Sequence, residues 1–163
     1  MELREGAMNM YNITQQIKEF YEEAEVGIDI VEDEEIDVLT ISCTGENIKN
    51  LKCSMFIEKE EMPIVSVRYF GVCVIPENKY GVMLDLVNKL NDTYKFVKFS
   101  INEDYELNIA SSNFVTEENA AIVADDLCDG CLRAYDDEYS NIMRTMWKDD
   151  GYINHTLTLE DAE

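Results

Sequence analysis

Positive charge is scarce in this chain. Thirteen Lys and Arg stand against 35 Asp and Glu, a formal net charge of −22 at pH 7. A surface that negative repels phosphate backbones and anionic lipid headgroups, so nucleic acid and membrane surfaces are disfavoured as partners. Its first meaning is solubility; its second is steering of a basic partner. Histidine is almost missing: His155 is the only one. The commonest general base is therefore in short supply, and the carboxylates are too many for any one pair to stand out. The seven glycines never reach GxGxxG or GxxxxGK spacing, which excludes a Gly-rich phosphate cradle. Neither 32–37 nor 125–130 has the alternating oxygen ligands, central Gly and closing Glu of a calcium loop. No apolar run approaches the ~20 residues of a membrane span. The opening Met-Glu-Leu-Arg-Glu-Gly lacks the order of a secretory signal. The expected location is the cytoplasm.

Cysteine is present but sparse. Cys43, Cys53, Cys73, Cys128 and Cys131 form an odd, scattered set that suits free thiols in a reducing compartment. Cys128-Asp-Gly-Cys131 invites a redox reading. A thioredoxin-like pair sits at a helix N-terminus, where the dipole lowers a thiol pKa. Here the pair falls about three turns inside a helix, so two small core residues are the plainer expectation. With no second CxxC, a structural zinc site is not expected. No cofactor and no catalytic residue is expected.

What the chain does have is ordinary core material. Its hydrophobic fraction is 46%, and 163 residues can bury roughly 70% of the unfolded surface without staples. Residues 1–9 read as a lead-in. Ile13, Ile17, Phe20 and Ala24 recur at helical spacing, with Asn12 as N-cap, Gln15 as its capping-box partner and Gly27 as the stop. Residues 26–31 make a short strand and the acidic run 32–35 a turn. Residues 38–43 and 51–58 alternate with period two around a Gly45-Glu46-Asn47 turn. After Glu60–Pro63, residues 64–75 are apolar on both faces, which places that strand inside a sheet. Pro76 opens a second helix lined by Val82, Leu86 and Leu90, with Met83 and Val87 beside them. Strands at 96–101 and 105–110 follow, joined by Asn102-Glu103-Asp104, and 111–115 is a connection. Thr116 caps a third helix, with Glu117 and Glu118 in its first turn. Ala120, Val123, Leu127, Cys131 and Ala134 line it to Trp147, with Gly130 as a weak point.

The order is α-β-β-β(-β)-α-β-β-α. It predicts an α+β fold, an antiparallel sheet of five or six strands with three helices. Residues 1–148 form a single domain in this reading, and 149–163 an acidic tail.

Residues 82–147 carry a recognisable sequence: Val-Met-Leu-Asp-Leu-Val-Asn88-Lys-Leu-Asn91, then Lys95-Phe96-Val-Lys-Phe99-Ser-Ile, an acidic turn, Tyr105-Glu-Leu-Asn-Ile-Ala, and an acid-capped helix. This resembles the YbjN family, whose fold is that of the type III secretion chaperones. Asn88, Asn91, Phe96 and Phe99 carry the resemblance, and Asp104-Tyr105 stands where Gly is common in the hairpin turn. From the residues alone, Asn88 and Asn91 are expected to bond orphan helix carbonyls or take the left-handed conformation. The resemblance implies no catalytic residues. It implies a small acidic protein, often dimeric, that presents apolar surface to a partner polypeptide; bacterial members are sometimes labelled sensory transduction regulators. Phe56, Tyr69, Phe70, Val72 and Val74 are the expected partner surface. The competing readings are a thiol-dependent redox protein using Cys128 and Cys131, and a dimeric signalling module sensing a small ligand.

Overall fold

A computed structural model describes residues 10–148. The lead-in 1–9, His155 and the tail 149–163 lie outside them. Four strands precede the second helix: β1 (Asp29–Val31), β2 (Ile36–Cys43), β3 (Leu51–Glu58) and β4 (Ile64–Val74). They follow α1 (Asn12–Glu23) and lead, through a 3-10 turn at Glu77–Lys79, to α2 (Tyr80–Thr93). Then come β5 (Lys98–Ile101), β6 (Glu106–Phe114) and the long α3 (Ala120–Trp147). The fold is α+β, and its six strands form one antiparallel sheet in the order β1-β2-β3-β4-β6-β5.

Period-two patterning accounts for β2 and β3. Leu39 and Ile41 pair into the core with Met55 and Cys53, all buried, while Thr40 and Ser54 face the other way. The strand β4 lies inside the sheet, between β3 and β6, as its two-sided apolar character predicts. Its register slips between Tyr69 and Cys73, where three residues on β4, Phe70 to Val72, stand against Asn108 alone on β6. Gly71 makes the slip at φ +56, a conformation that costs other residues, and its N–H donates to Asn108 Oδ1 at 2.7 Å.

The element boundaries depart from the sequence reading for local reasons. Asn12 does not cap α1: Tyr11 holds the cap position, Asn12 donates to Glu117, and Gln15 donates to Glu19. The stop is not Gly27 but Glu25 at φ 58, with the Val26 N–H closing back on the Tyr21 carbonyl. The first strand shrinks to Asp29–Val31. Residues 98–101, not 96–101, make β5, whereas 111–114 continue β6 rather than connecting. The turn at 116–119 precedes α3, where Asn119 rather than Thr116 holds the cap position and Asn119 Oδ1 accepts from the Thr116 N–H. The helix then runs unbroken for 28 residues through Gly130. Val82 points outward and is 39% exposed, leaving Met83, Leu86, Val87 and Leu90 as the buried stripe of α2.

All three helices pack on one side. Ile13, Ile17 and Tyr21 of α1 join Ala120, Ala124, Cys128, Cys131 and Tyr135 of α3 over the inward side chains of β2, β3, β4 and β6. Amphipathic helices need only one apolar face covered, and one sheet face does it for all three.

Candidate functional site

Strand register sorts the side chains of the sheet onto two faces. Opposite the helices, one row reads Val31, Val38, Phe56, Ser66 and Ser112; a second reads Ile36, Glu58, Ile64 and Phe114. Arg68, Ala110, Lys98, Thr40, Ser54 and Asp29 make a third. Further along β4 stand Phe70 and Val74, 53% and 63% exposed. No described helix covers this face, and its central groups stack: the Arg68 guanidinium lies 5.4 Å from the Phe56 ring, which meets Phe70 edge-on at 6.1 Å.

The charge on this face is as telling as its apolar content. Its basic residues, Lys52, Arg68 and Lys98, balance its acidic ones, Asp29, Glu58 and Glu106. The chain as a whole carries −22. The acid is therefore displaced from this face. Small hydroxyls (Thr40, Ser42, Ser54, Ser66, Ser100, Ser112) fill the spaces between aromatic and aliphatic groups. Depletion of net charge with aromatic and Arg anchors is the composition of an interface core.

Of the expected partner surface, Phe70 and Val74 are exposed and Phe56 and Val72 half-buried. Tyr69 is a correction. It points into the core, fully buried, and its hydroxyl donates to the Cys128 carbonyl at 3.0 Å. An interior strand places neighbours on opposite faces, so Tyr69 and Phe70 cannot share one.

The family-motif residues are also placed. Asn91 turns neither to orphan carbonyls nor to a left-handed stop; Tyr94 leaves α2 extended. The Asn91 side chain bonds both backbone groups of Phe99 instead. Phe99 is buried, Phe96 is 81% exposed, and Asn88 is on the outer face of α2. Phe96 helps line an open groove of about 670 Å³ with Tyr94, Val97, Leu127 and Gly130, rimmed by Lys95, Arg133, Asp126 and Asp137. At the hairpin turn Tyr105 itself takes φ 59, and its ring meets Tyr80 edge-on at 5.4 Å.

The sequence reading missed two polar clamps. Asp37 is fully buried, accepting from Thr14 at 2.5 Å and pairing with Lys59 at 2.7 Å. Asp136 of α3 accepts the backbone N–H groups of Glu46 and Asn47, at 2.9 and 2.8 Å, and these bonds hold its carboxyl below the usual range. Acidic residues inside an acidic sequence give no signal of such roles.

Cys128 does not pair with Cys131. Its Sγ lies 3.2 Å from Cys53 Sγ on β3, 75 residues away. Cys131 is buried, and desolvation pushes its thiol up to about 12. The CxxC lies more than two turns inside α3, which begins at Ala120. Among the described residues no group of three or more His, Cys, Asp or Glu is disposed to hold a metal ion.

The fold and this face define an α+β protein with helices on one side of its sheet and the other side open. The same fold occurs in the crystal structure of an uncharacterized protein from Methanothermobacter thermautotrophicus, with a TM-score of 0.56 and 10% identity, covering 82% of this chain and 99% of that one. No protein-family model matches the chain, and no curated protein matches it. Among the described residues no helix is long and apolar enough to cross a membrane.

Proposed function

We propose that this chain is a non-catalytic, cytoplasmic protein-binding module that engages a partner polypeptide through the open sheet face. One observation carries this reading: a chain of −22 holds a face of balanced charge, built around Arg68, Phe56 and Phe70. Solvated surface has no reason to exclude acid locally when acid dominates everywhere else. A contact face does, because unpaired carboxylates buried against a partner are costly. The acidic surround steers basic partners toward contact, and the neutral centre lets them dock. Membership of the YbjN family, with its secretion-chaperone-like binding role, belongs to the same proposal and rests on the 82–147 resemblance.

Site-specific photocrosslinking tests it. A photoreactive residue at position 70 is compared with one at Ile122, 61% exposed on α3. The expected result is a defined polypeptide adduct from position 70 that disappears with Phe56→Lys. Equal, diffuse adducts from both positions would overturn the reading.

A further inference from the structure

Two thiols of one hairpin and a third from α3 converge behind the sheet. Cys43 and Cys53 are diagonal neighbours on β2 and β3, since Ile41 faces Cys53 and Cys43 faces Leu51. Cys128 descends from α3 onto Cys53, sulfur to sulfur at 3.2 Å. Cys53 is fully buried and Cys128 nearly so, whereas Cys43 is partly open at the end of its strand. Thr44, next in sequence, lines an open cleft of about 580 Å³ between the 44–47 loop and α3. The cluster thus has one outer thiol and two inner ones.

We propose that Cys43, Cys53 and Cys128 form a relay that stores the two oxidising equivalents of a hydroperoxide as a Cys53–Cys128 disulfide joining β3 to α3.

The geometry assigns each thiol a step. Cys53, as a hydrogen-bond donor, favours the Cys43 thiolate and helps bring its pKa down to about 7, against desolvation and the charges of Asp125 and Asp129. The thiolate is the nucleophilic form. It attacks the hydroperoxide: an S–O bond forms, the O–O bond breaks, and the alcohol leaves with a proton. The resulting Cys43 sulfenic acid condenses with Cys53. There the S–S bond forms, the S–O bond breaks, and the oxygen departs as water with the Cys53 proton. The step draws the end of β2 inward, because diagonal neighbours start about 7–8 Å apart and a disulfide spans less than about 7 Å. Cys128 then attacks Cys53 sulfur, releasing Cys43 and passing it a proton. In sum, two thiols lose two protons and two electrons, and the hydroperoxide becomes alcohol and water. The closing move is small, because the sulfurs must approach from 3.2 Å to about 2.05 Å.

The relay is separate from the docking face, which lies on the other side of the sheet, so either proposal can fail alone. The test uses the reduced full chain and hydrogen peroxide. After treatment, free thiols are alkylated and the chain is digested with trypsin without reductant. Tandem mass spectrometry should find the Cys53 peptide linked to Cys128, with the intact protein lighter by two hydrogens. Cys43→Ser should slow that linkage at least tenfold while leaving the circular dichroism spectrum unchanged. A bridge to Cys131, oxidation to sulfinic acid without a bridge, or an unchanged rate in Cys43→Ser would each overturn the proposal.

Discussion

Asn91 and Phe99 are joined as if they were paired strands: the Asn91 amide donates to the Phe99 carbonyl at 2.9 Å, and its Oδ1 accepts the Phe99 N–H at 2.7 Å. Phe99 sits on edge strand β5, whose other side pairs with β6. The side chain of one helical residue therefore substitutes for a missing neighbour strand and fixes β5 against α2. Asn91→Asp keeps the acceptor and loses the donor, leaving a carboxylate against a carbonyl. It should cost about 1–3 kcal/mol, read by urea unfolding.

Tyr105 tests the opposing effects of strain and contact. Its left-handed backbone is unfavourable for a residue with Cβ, and its ring contact with Tyr80 offsets that. Tyr105→Ala retains the strain and loses the ring. Tyr105→Gly loses both. The Gly variant should be more stable than the Ala variant by about 1 kcal/mol in thermal or urea melts.

Neighbours on β4 should respond oppositely. Tyr69→Phe removes the hydroxyl bonded to the Cys128 carbonyl and should cost about 1 kcal/mol, with no effect on partner binding. Phe70→Ser should change stability by no more than about 0.5 kcal/mol, yet abolish the adduct formed from a photoreactive residue at position 74, 63% exposed on the same face. Paired urea melts and crosslinking read both.

Asp37 is the charge the core depends on. Replacing it by Asn removes the partner of Lys59 and weakens the bond from Thr14, in a fully buried position. The expected loss is about 3 kcal/mol in urea unfolding.

Thiol titration supplies a pH prediction. Hydrogen bonding led by Cys53 lowers the Cys43 thiol from 9.0 to about 7, while burial raises Cys73 to about 11. The folded chain thus holds fewer protons at Cys43 between pH 7 and 9 than the unfolded chain does. The stability this group contributes is full above 9 and falls as pH drops through 7. Iodoacetamide should label Cys43 with a half-maximal rate near pH 7 and leave Cys73 unlabelled there, measured by peptide mass spectrometry.

Much of the architecture is determined by local sequence. The period-two runs of β2 and β3, the Glu60–Pro63 and Asn102–Asp104 turns, and the apolar spacing of α1 and α3 each depend on residues a few positions apart. Hairpin connections then account for every antiparallel pairing except β4 with β6, which meet across α2 and β5, and the order of elements predicts the α+β class. The faces of β4 are different. Apolar residues at 65, 67, 69, 70, 72 and 74 fit either assignment, and only pairing with β3 and β6 turns Tyr69 inward and Phe70 outward. The same holds for the neutral open face, whose charges balance only when six strands are laid side by side. It holds for Cys53 and Cys128 as well. The sequence separates them by 75 residues and sets Cys131 in view as the nearer partner. Helix geometry turns Cys128 toward the sheet, and register decides which strand residue it meets. Side-chain periodicity is local and so can be read along the chain; the pairing of surfaces is set by packing between elements and exists only once they have met.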